Sequence, residues 1–245
     1  MREKFKEYAA RQKRFWNVED VRTAMFERID TEQDKTEAAW DQLAEQDTLH
    51  VIRDISFERS STLLEIGCGI GRVISKLKTR IPFRRFIGVD ISEQMIQFAK
   101  GYLGEDKRIE LLVNNGYDLS EVNDDEVDFG YSIDVFIHIY DLDIASNYLS
   151  EAYRVLKRGG KFRFNVRRWD VERAFGDSLG GKMAKWSYKL GLRSMGEHTW
   201  NANEEAELNG NQYTSHDLKK LISNTHFQIL NMEISDSRIW CTLEK

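Results

Sequence analysis

Cysteine is scarce: Cys68 and Cys241 are the two in 245 residues. That supply makes neither a disulfide framework nor a zinc-type ligand cluster, so no metal is expected. A reducing, cytoplasmic setting follows as an expectation. Long apolar runs are also missing, which excludes a membrane span. Met1 leads into the charged stretch REKFKEY, which does not read as a signal peptide. Neither sign of charge dominates, and a net charge of -5 disfavours a general nucleic-acid binder. Internal repeats and low-complexity tracts are absent.

What is present suits one sizeable α/β domain with a core of its own: 41% of the residues are hydrophobic. The charge is unevenly spread. Between Lys157 and Arg193 eleven Lys and Arg face three acids, Asp170, Glu172 and Asp177. From Glu197 to Glu207 the acids Glu197, Glu204, Glu205 and Glu207 stand without a basic residue. A solvated basic helix face explains such a run, and docking of an anionic acceptor is the sharper reading.

Residues 1–57 read as helical, with Phe5, Tyr8 and Phe15 in one helix and an apolar stripe of Trp40, Leu43, Leu49, Ile52 and Ile55 in another. From Ser61 short apolar runs alternate with helical patterns. TLLEIG, FIGVDI (86–91), IELLVNNG (109–116), VDFGYSI (127–133) and KFRFNV (161–166) read as strands. SEQMIQFAKGYL (92–103) is a helix capped by Ser92, and residues 143–160 form one ended by Gly159 and Gly160. This alternation predicts a parallel sheet covered on both faces. It breaks after Val166 for about forty-five residues, too long for an ordinary connection and therefore a functional insertion. Thr214 and Asp217 then suggest a capping box, and FQILNMEI with RIWCTLEK predicts a closing antiparallel hairpin.

The most informative stretch is LLEIGCGIGR, residues 63–72. An apolar strand turns into glycines and then into a helix, the arrangement of a nucleotide-type pocket. Asp90, nineteen residues after Gly71 at the end of the second strand, is placed to accept from a ribose diol. These features suit NAD, FAD or S-adenosylmethionine alike. Two observations separate them. The spacing is G-x-G-x-G, not the G-x-G-x-x-G that brings a helix onto a pyrophosphate, and Glu65 would repel a pyrophosphate but suits a sulfonium and an ammonium. Arg72 is a candidate partner for the cofactor carboxylate, with a surface arginine at a helix start as the equal alternative.

LLEIGCGIGR, GVDIS, NNGYDL, VDFGYSIDVFIHI, EAYRVLKRGG and QYTSHDLKKLI, in that order, resemble class I S-adenosylmethionine-dependent methyltransferases of the small-molecule type. The resemblance covers most of the chain from Ser61 to Lys245 apart from the insertion. It implies a Rossmann-like, seven-stranded, mostly parallel sheet with an antiparallel last strand and helices on both faces. A helical lid is expected over 1–60, an S-adenosylmethionine-binding domain over 61–245, and a substrate cap over about 168–212. The resemblance implies that the loop of Gly67, Cys68, Gly69 and Gly71 flanks the methionyl part and ribose, with Glu65 nearby. Asp90 would hold the ribose hydroxyls and Ile91 pack on the adenine. Asn115 would accept from the adenine amino group, the Gly116 backbone would meet the ring, and Ser132 would contact the amino-acid moiety. Arg158 and Ser215 stand where the family usually has proline, away from the cofactor.

The expected reaction is methyl transfer to an oxygen or nitrogen of a small, possibly anionic acceptor, with S-adenosylhomocysteine as product. His138, following the fourth strand, is the candidate base; a structural imidazole is the alternative. Asp134 reads as the cap of a following helix. Arg167, Trp169, Trp200 and Tyr213 are the candidate acceptor-binding residues, with His198 and Asn201 beside them. A tRNA or protein methyltransferase is the runner-up, although the chain lacks an Asn-Pro-Pro-Tyr-like signature after the fourth strand. A cofactor-binding protein without chemistry and a nicotinamide dehydrogenase stand further back. Nothing in the sequence sets the oligomeric state.

Overall fold

The alternation that begins at Ser61 folds into one twisted sheet with helices against both faces. The computed structural model describes residues 2–25, 36–169, 182–183, 185–187, 190 and 210–245. The strands are β1 (Thr62–Ile66), β2 (Arg85–Asp90), β3 (Ile109–Val113), β4 (Val127–Ser132), β5 (Leu156–Arg168), β6 (Gln212–Tyr213), β7 (Gln228–Ile234) and β8 (Arg238–Glu244). Their order is β3-β2-β1-β4-β5-β8-β7, and the two-residue β6 pairs with β5 off this path. Every pairing is parallel except those of β8, which runs antiparallel to both β5 and β7. The expected seven-stranded sheet is therefore present, with β6 as an addition.

Helices α1 (Arg2–Trp16), the short α2 (Val21–Thr23) and α3 (Glu37–Ile52) precede the sheet. Within it come α4 (Arg72–Arg80), α5 (Glu93–Leu103), α6 (Leu142–Val155) and α7 (Ser215–Ser223). Strand alternation divides the core. Leu63, Phe86, Phe129 and Tyr131 meet Val51 of α3, Ile74 and Leu77 of α4, and Ile96 and Ala99 of α5 on one face. Leu64, Ile66, Ile87, Phe162 and Phe164 meet α6, α7, and Phe5 and Tyr8 of α1 on the other. The chain builds β1, β2 and β3 toward one edge and then places β4 on the far side of β1. That reversal opens a crevice at the carboxyl ends of β1 and β4, where open α/β sheets bind ligands.

Several sequence expectations are corrected. Residues 156–160 belong to β5 and not to the preceding helix; the register shifts between Val127 and Phe129 absorb the glycine pair into the strand. The stripe expected on α3 is rotated: Leu49 is exposed, whereas Trp40, Ala44, Asp47, Thr48 and Val51 are buried. Polar residues sit inside because Asp47 receives Arg72 there, which a hydrophobic pattern cannot reveal. Part of the basic run is also internal. Arg163 on β5 is buried and donates from Nη1 to the carbonyls of His50 (2.7 Å), Val51 (3.1 Å) and Arg53 (2.7 Å). It thereby closes the C-terminus of α3, where carbonyls are left over and a cation is favoured. Lys157 pairs with Asp128, and Arg168 donates to the Ser235 carbonyl.

The capping box on α7 is formed as expected: Thr214 Oγ1 accepts from Asp217 N (3.1 Å), and the Asp217 carboxylate accepts from Thr214 N (3.3 Å). Thr214→Ala is expected to cost about 1 kcal/mol and lower the melting temperature by about 2–4 °C. Calorimetric unfolding of the pair measures it, and an unchanged melting temperature would refute it.

Candidate active site

The crevice is shaped by β1 running into the glycine loop. Gly67 and Cys68 both donate to the Val89 carbonyl (2.7 and 3.0 Å), which folds the loop back over β2. Gly67 has φ +73°, and a Cβ there would lie 2.1 Å from Val135 Cγ2, so only glycine fits. Gly69 N donates to Asp90 Oδ2 at 2.8 Å, and Ser92 N donates to Asp90 Oδ1 at 2.9 Å. Asp90 thus holds the loop while keeping lone pairs for a ligand. Burial raises its carboxyl to about 6, against the pull of the backbone donors.

Glu65, opposite Tyr131 in the β1–β4 register, is 4% exposed and accepts from the Tyr131 hydroxyl at 2.8 Å. Burial raises its carboxyl to about 8, opposed by that hydrogen bond and by the charge of Arg72. Arg72 is itself buried. Its guanidinium lies 2.5 Å from Asp47 and 5.3 Å from the centre of the Trp40 ring. Burial also raises the Asp47 carboxyl, with Arg72 opposing.

One cavity gathers most of the expected cofactor residues: Glu65, Gly67, Cys68, Gly69, Arg72, Asp90, Ile91 and Gly116, with His138 on its wall. Three expectations fall outside it. Gly71 is the N-cap of α4, and a Cβ there would meet Leu103 at 2.7 Å, so it serves helix packing. Ser132 is fully buried and donates to the Ile66 carbonyl at 2.9 Å, tying β4 to β1. The Asn115 amide oxygen already accepts from Tyr117 N and Asp118 N, both at 3.0 Å. Its neighbour Asn114 lines the cavity instead, donating to the Tyr148 hydroxyl at 3.1 Å and accepting from Gly116 N at 3.2 Å, which leaves its oxygen one further lone pair. The bond from Asn114 N to Asp90 O extends the β2–β3 ladder by one residue and sets which amide turns inward.

Arg72, the candidate partner of the cofactor carboxylate, lines the cavity and is also ion-paired with Asp47. Asp134 caps no helix: at φ +54° it accepts from Asn165 Nδ2 (2.8 Å) and Arg238 Nε (3.2 Å), on the cavity wall. Tyr213 is fully buried in the core, and Arg167 and Trp169 do not line the cavity. Trp169 N donates to the Tyr213 carbonyl at 2.8 Å, so the two ends of the insertion meet at the β5–β6 pairing. Trp200, His198 and Asn201 lie outside the described residues.

The sequence points to an N-terminal lid with Tyr8 in it but not to Gln12 or Trp16 as site residues. Tyr8, Gln12 and Trp16 of α1 line the cavity at four-residue spacing, and Tyr148, Met95, Ile133 and Val135 complete it. The spacing was visible in the sequence; the polar Gln12 within it was the signal. His138 lies on the loop after β4 with its ring 5.0 Å from Trp16, edge to face. Asn211 Nδ2 donates to the carbonyls of Ile139 (3.2 Å) and Tyr140 (2.9 Å), pinning that loop to the end of the insertion.

Residues 64–164, which carry β1, the glycine loop, Asp90 and His138, match the family model described as a methyltransferase domain. The matched segment, about two fifths of the chain, is similar to a methyltransferase domain. The chain is 30% identical over 110 residues to malonyl-[acyl-carrier protein] O-methyltransferase 1 of Ilyobacter polytropus, a match covering 44% of this chain and 39% of that protein. The match thus takes in well under half of that relative's length. The methyltransferase fold extends to solved structures. Geranyl diphosphate C-methyltransferase from Streptomyces coelicolor, in complex with Mg2+, geranyl diphosphate and S-adenosylhomocysteine, aligns with TM-score 0.66 at 16% identity over 97% of both chains. A methyltransferase from Methanosarcina mazei aligns with TM-score 0.53 at 19% identity, over 77% of this chain and 94% of that one. At these identities the likeness is one of fold.

The cavity's chemistry suits S-adenosylmethionine on its own evidence. Glu65, Asp90 and Asp134 are on its wall, and Arg72, the guanidinium on it among the described residues, is ion-paired with Asp47. Such a wall would repel a pyrophosphate and favours a nucleoside that carries cationic groups. Among the described residues, no helix is long and apolar enough to cross a membrane.

Proposed function

We propose that the protein is an S-adenosylmethionine-dependent methyltransferase acting on an oxygen or nitrogen of a small-molecule acceptor. The observation that carries this is the single cavity joining Glu65, the glycine loop, Asp90 and His138 beneath α1. When bound, the sulfonium supplies an already activated methyl group. Asp90 is assigned to the ribose hydroxyls, Gly116 and Ile91 to the adenine, and Glu65 to the cationic amino-acid end. Asn114 takes the place first given to Asn115 at the adenine edge. The main task left to the protein is orientation of the acceptor, which can supply several kcal/mol.

His138 is assigned as general base: it would take the acceptor's proton as the methyl–acceptor bond forms. Trp16 fixes the imidazole plane from one side. The N-terminal helices serve as lid, residues 61–245 as the binding domain, and the insertion over about 168–212 as acceptor cap. The cap reading rests on its two ends meeting beside the His138 loop. Two buried free cysteines accord with a reducing, cytoplasmic setting. The Streptomyces coelicolor enzyme, named for carbon methylation of a diphosphate, supports a small-molecule acceptor and leaves the acceptor atom as the point to test.

The test is incubation with methyl-labelled S-adenosylmethionine and fractionated small metabolites, following label transfer. The expected outcome is label in a small organic acceptor, with His138→Ala reducing the rate by about 10²–10⁴-fold while S-adenosylhomocysteine still binds. Transfer to tRNA or protein with none to small molecules would overturn the acceptor class.

A further inference from the structure

We propose that Gln12 is a cofactor-binding residue, its side-chain amide donating a hydrogen bond to the amino-acid carboxylate of the bound cofactor from a helix outside the methyltransferase sheet. The assignment rests on the reading of the cavity as an S-adenosylmethionine site.

Gln12 is 4% exposed and sits on the cavity wall between Tyr8 and Trp16. Its amide orientation is set internally. Trp16 Nε1 can only donate, and it does so to Gln12 Oε1 at 2.9 Å. The other amide atom must then be the nitrogen, which is buried and has no hydrogen-bond partner among the described residues. A buried N–H pair without an acceptor is costly and uncommon, and here it borders a cavity that a ligand would fill.

The chemistry of the remaining wall selects the ligand atom. A donor rejects the sulfonium and the ammonium. The ribose hydroxyls have Asp90, and the adenine has Asn114 and Gly116. The cofactor's carboxylate is the acceptor left over. It also faces a wall bearing Glu65, Asp90 and Asp134, on which Arg72, the guanidinium among the described residues, is ion-paired to Asp47. A neutral amide from α1 supplies a buried donor to this largely acidic wall beside Arg72 Nη1, which is ion-paired with Asp47 but makes no hydrogen bond. The end of α1 is fixed over the site by Lys13, which pairs with Glu93 (2.6 Å), and by Asn17 just past the helix, which accepts from Ser92 (2.6 Å).

The experiment is calorimetric titration of wild type, Gln12→Glu and Gln12→Met with two probes, S-adenosylhomocysteine and 5′-methylthioadenosine. The second has the nucleoside and sulfur without the amino-acid portion. Gln12→Glu keeps an oxygen for Trp16 and so preserves the docking of α1. Both variants are expected to bind S-adenosylhomocysteine about tenfold or more weakly, with 5′-methylthioadenosine changed by less than about twofold. Unchanged S-adenosylhomocysteine binding in both variants overturns the assignment, and so does an equal loss for the two probes, which would mean that only the helix has shifted. Wild-type protein that binds neither probe overturns the methyltransferase reading and this assignment together.

Discussion

Asp90→Ala is expected to weaken S-adenosylmethionine binding by about a hundredfold or more. The carboxylate has two tasks, and the substitution removes both. Toward the ligand it offers two charged oxygens to a ribose diol, and hydrogen bonds to a charged group contribute roughly 1.5–3 kcal/mol each, so a pair exceeds a hundredfold in affinity. Toward the protein it accepts from Gly69 N and Ser92 N, which would be left without an acceptor at the rim of the cavity. The glycine loop should therefore loosen as well. Asp90→Asn separates the two effects, because its amide oxygen can still serve one backbone donor; its affinity should fall between alanine and wild type. Titration calorimetry on all three proteins is the measurement. Wild-type affinity in the alanine variant would remove Asp90 from the site.

Affinity for S-adenosylmethionine is expected to rise with pH by about fiftyfold between pH 6 and 8, through Glu65. The free protein holds this carboxyl at about 8, because burial disfavours its charged form. A cationic ligand favours that charged form, so binding releases a proton wherever Glu65 is protonated beforehand. Raising pH through 8 removes the need for that release, and the gain levels off. The effect on the unliganded fold has the opposite sign. The folded-state pKa lies above the ordinary value of 4.5, so the contribution of Glu65 to stability is fully present below 4.5 and is lost as pH rises toward 8. Asp90 adds the same trend over a lower window, from 3.8 to about 6. Glu65→Gln cannot titrate and should flatten the affinity profile above pH 6. Calorimetry at pH 7 in buffers of different ionisation enthalpy should detect proton release of order one per ligand in wild type and almost none in the variant. Equal proton release in both proteins would assign the linkage elsewhere.

The strands were legible because a sheet buried on both faces needs continuous apolar runs, and the loops between them are short. The glycine loop, Glu65 and Asp90 were legible for a related reason. Their spacing along one strand–turn–helix unit sets their geometry almost completely. Asn114, Gln12 and Trp16 were not read as site residues, since no local pattern says which of two adjacent asparagines turns inward or where an N-terminal helix will dock.

The sequence alone therefore determined the class of sheet, the position of the glycine loop and the acid at the end of β2, all within reach of local chain geometry. The tertiary structure decided the rest. It joined Arg72 to Asp47 across two helices, drew Ser132 and Gly71 into packing, and laid α1 across the crevice so that Gln12 faces inward. Those outcomes depend on contacts between residues far apart in the chain, where burial and hydrogen-bond satisfaction are settled jointly by elements that no single segment encodes.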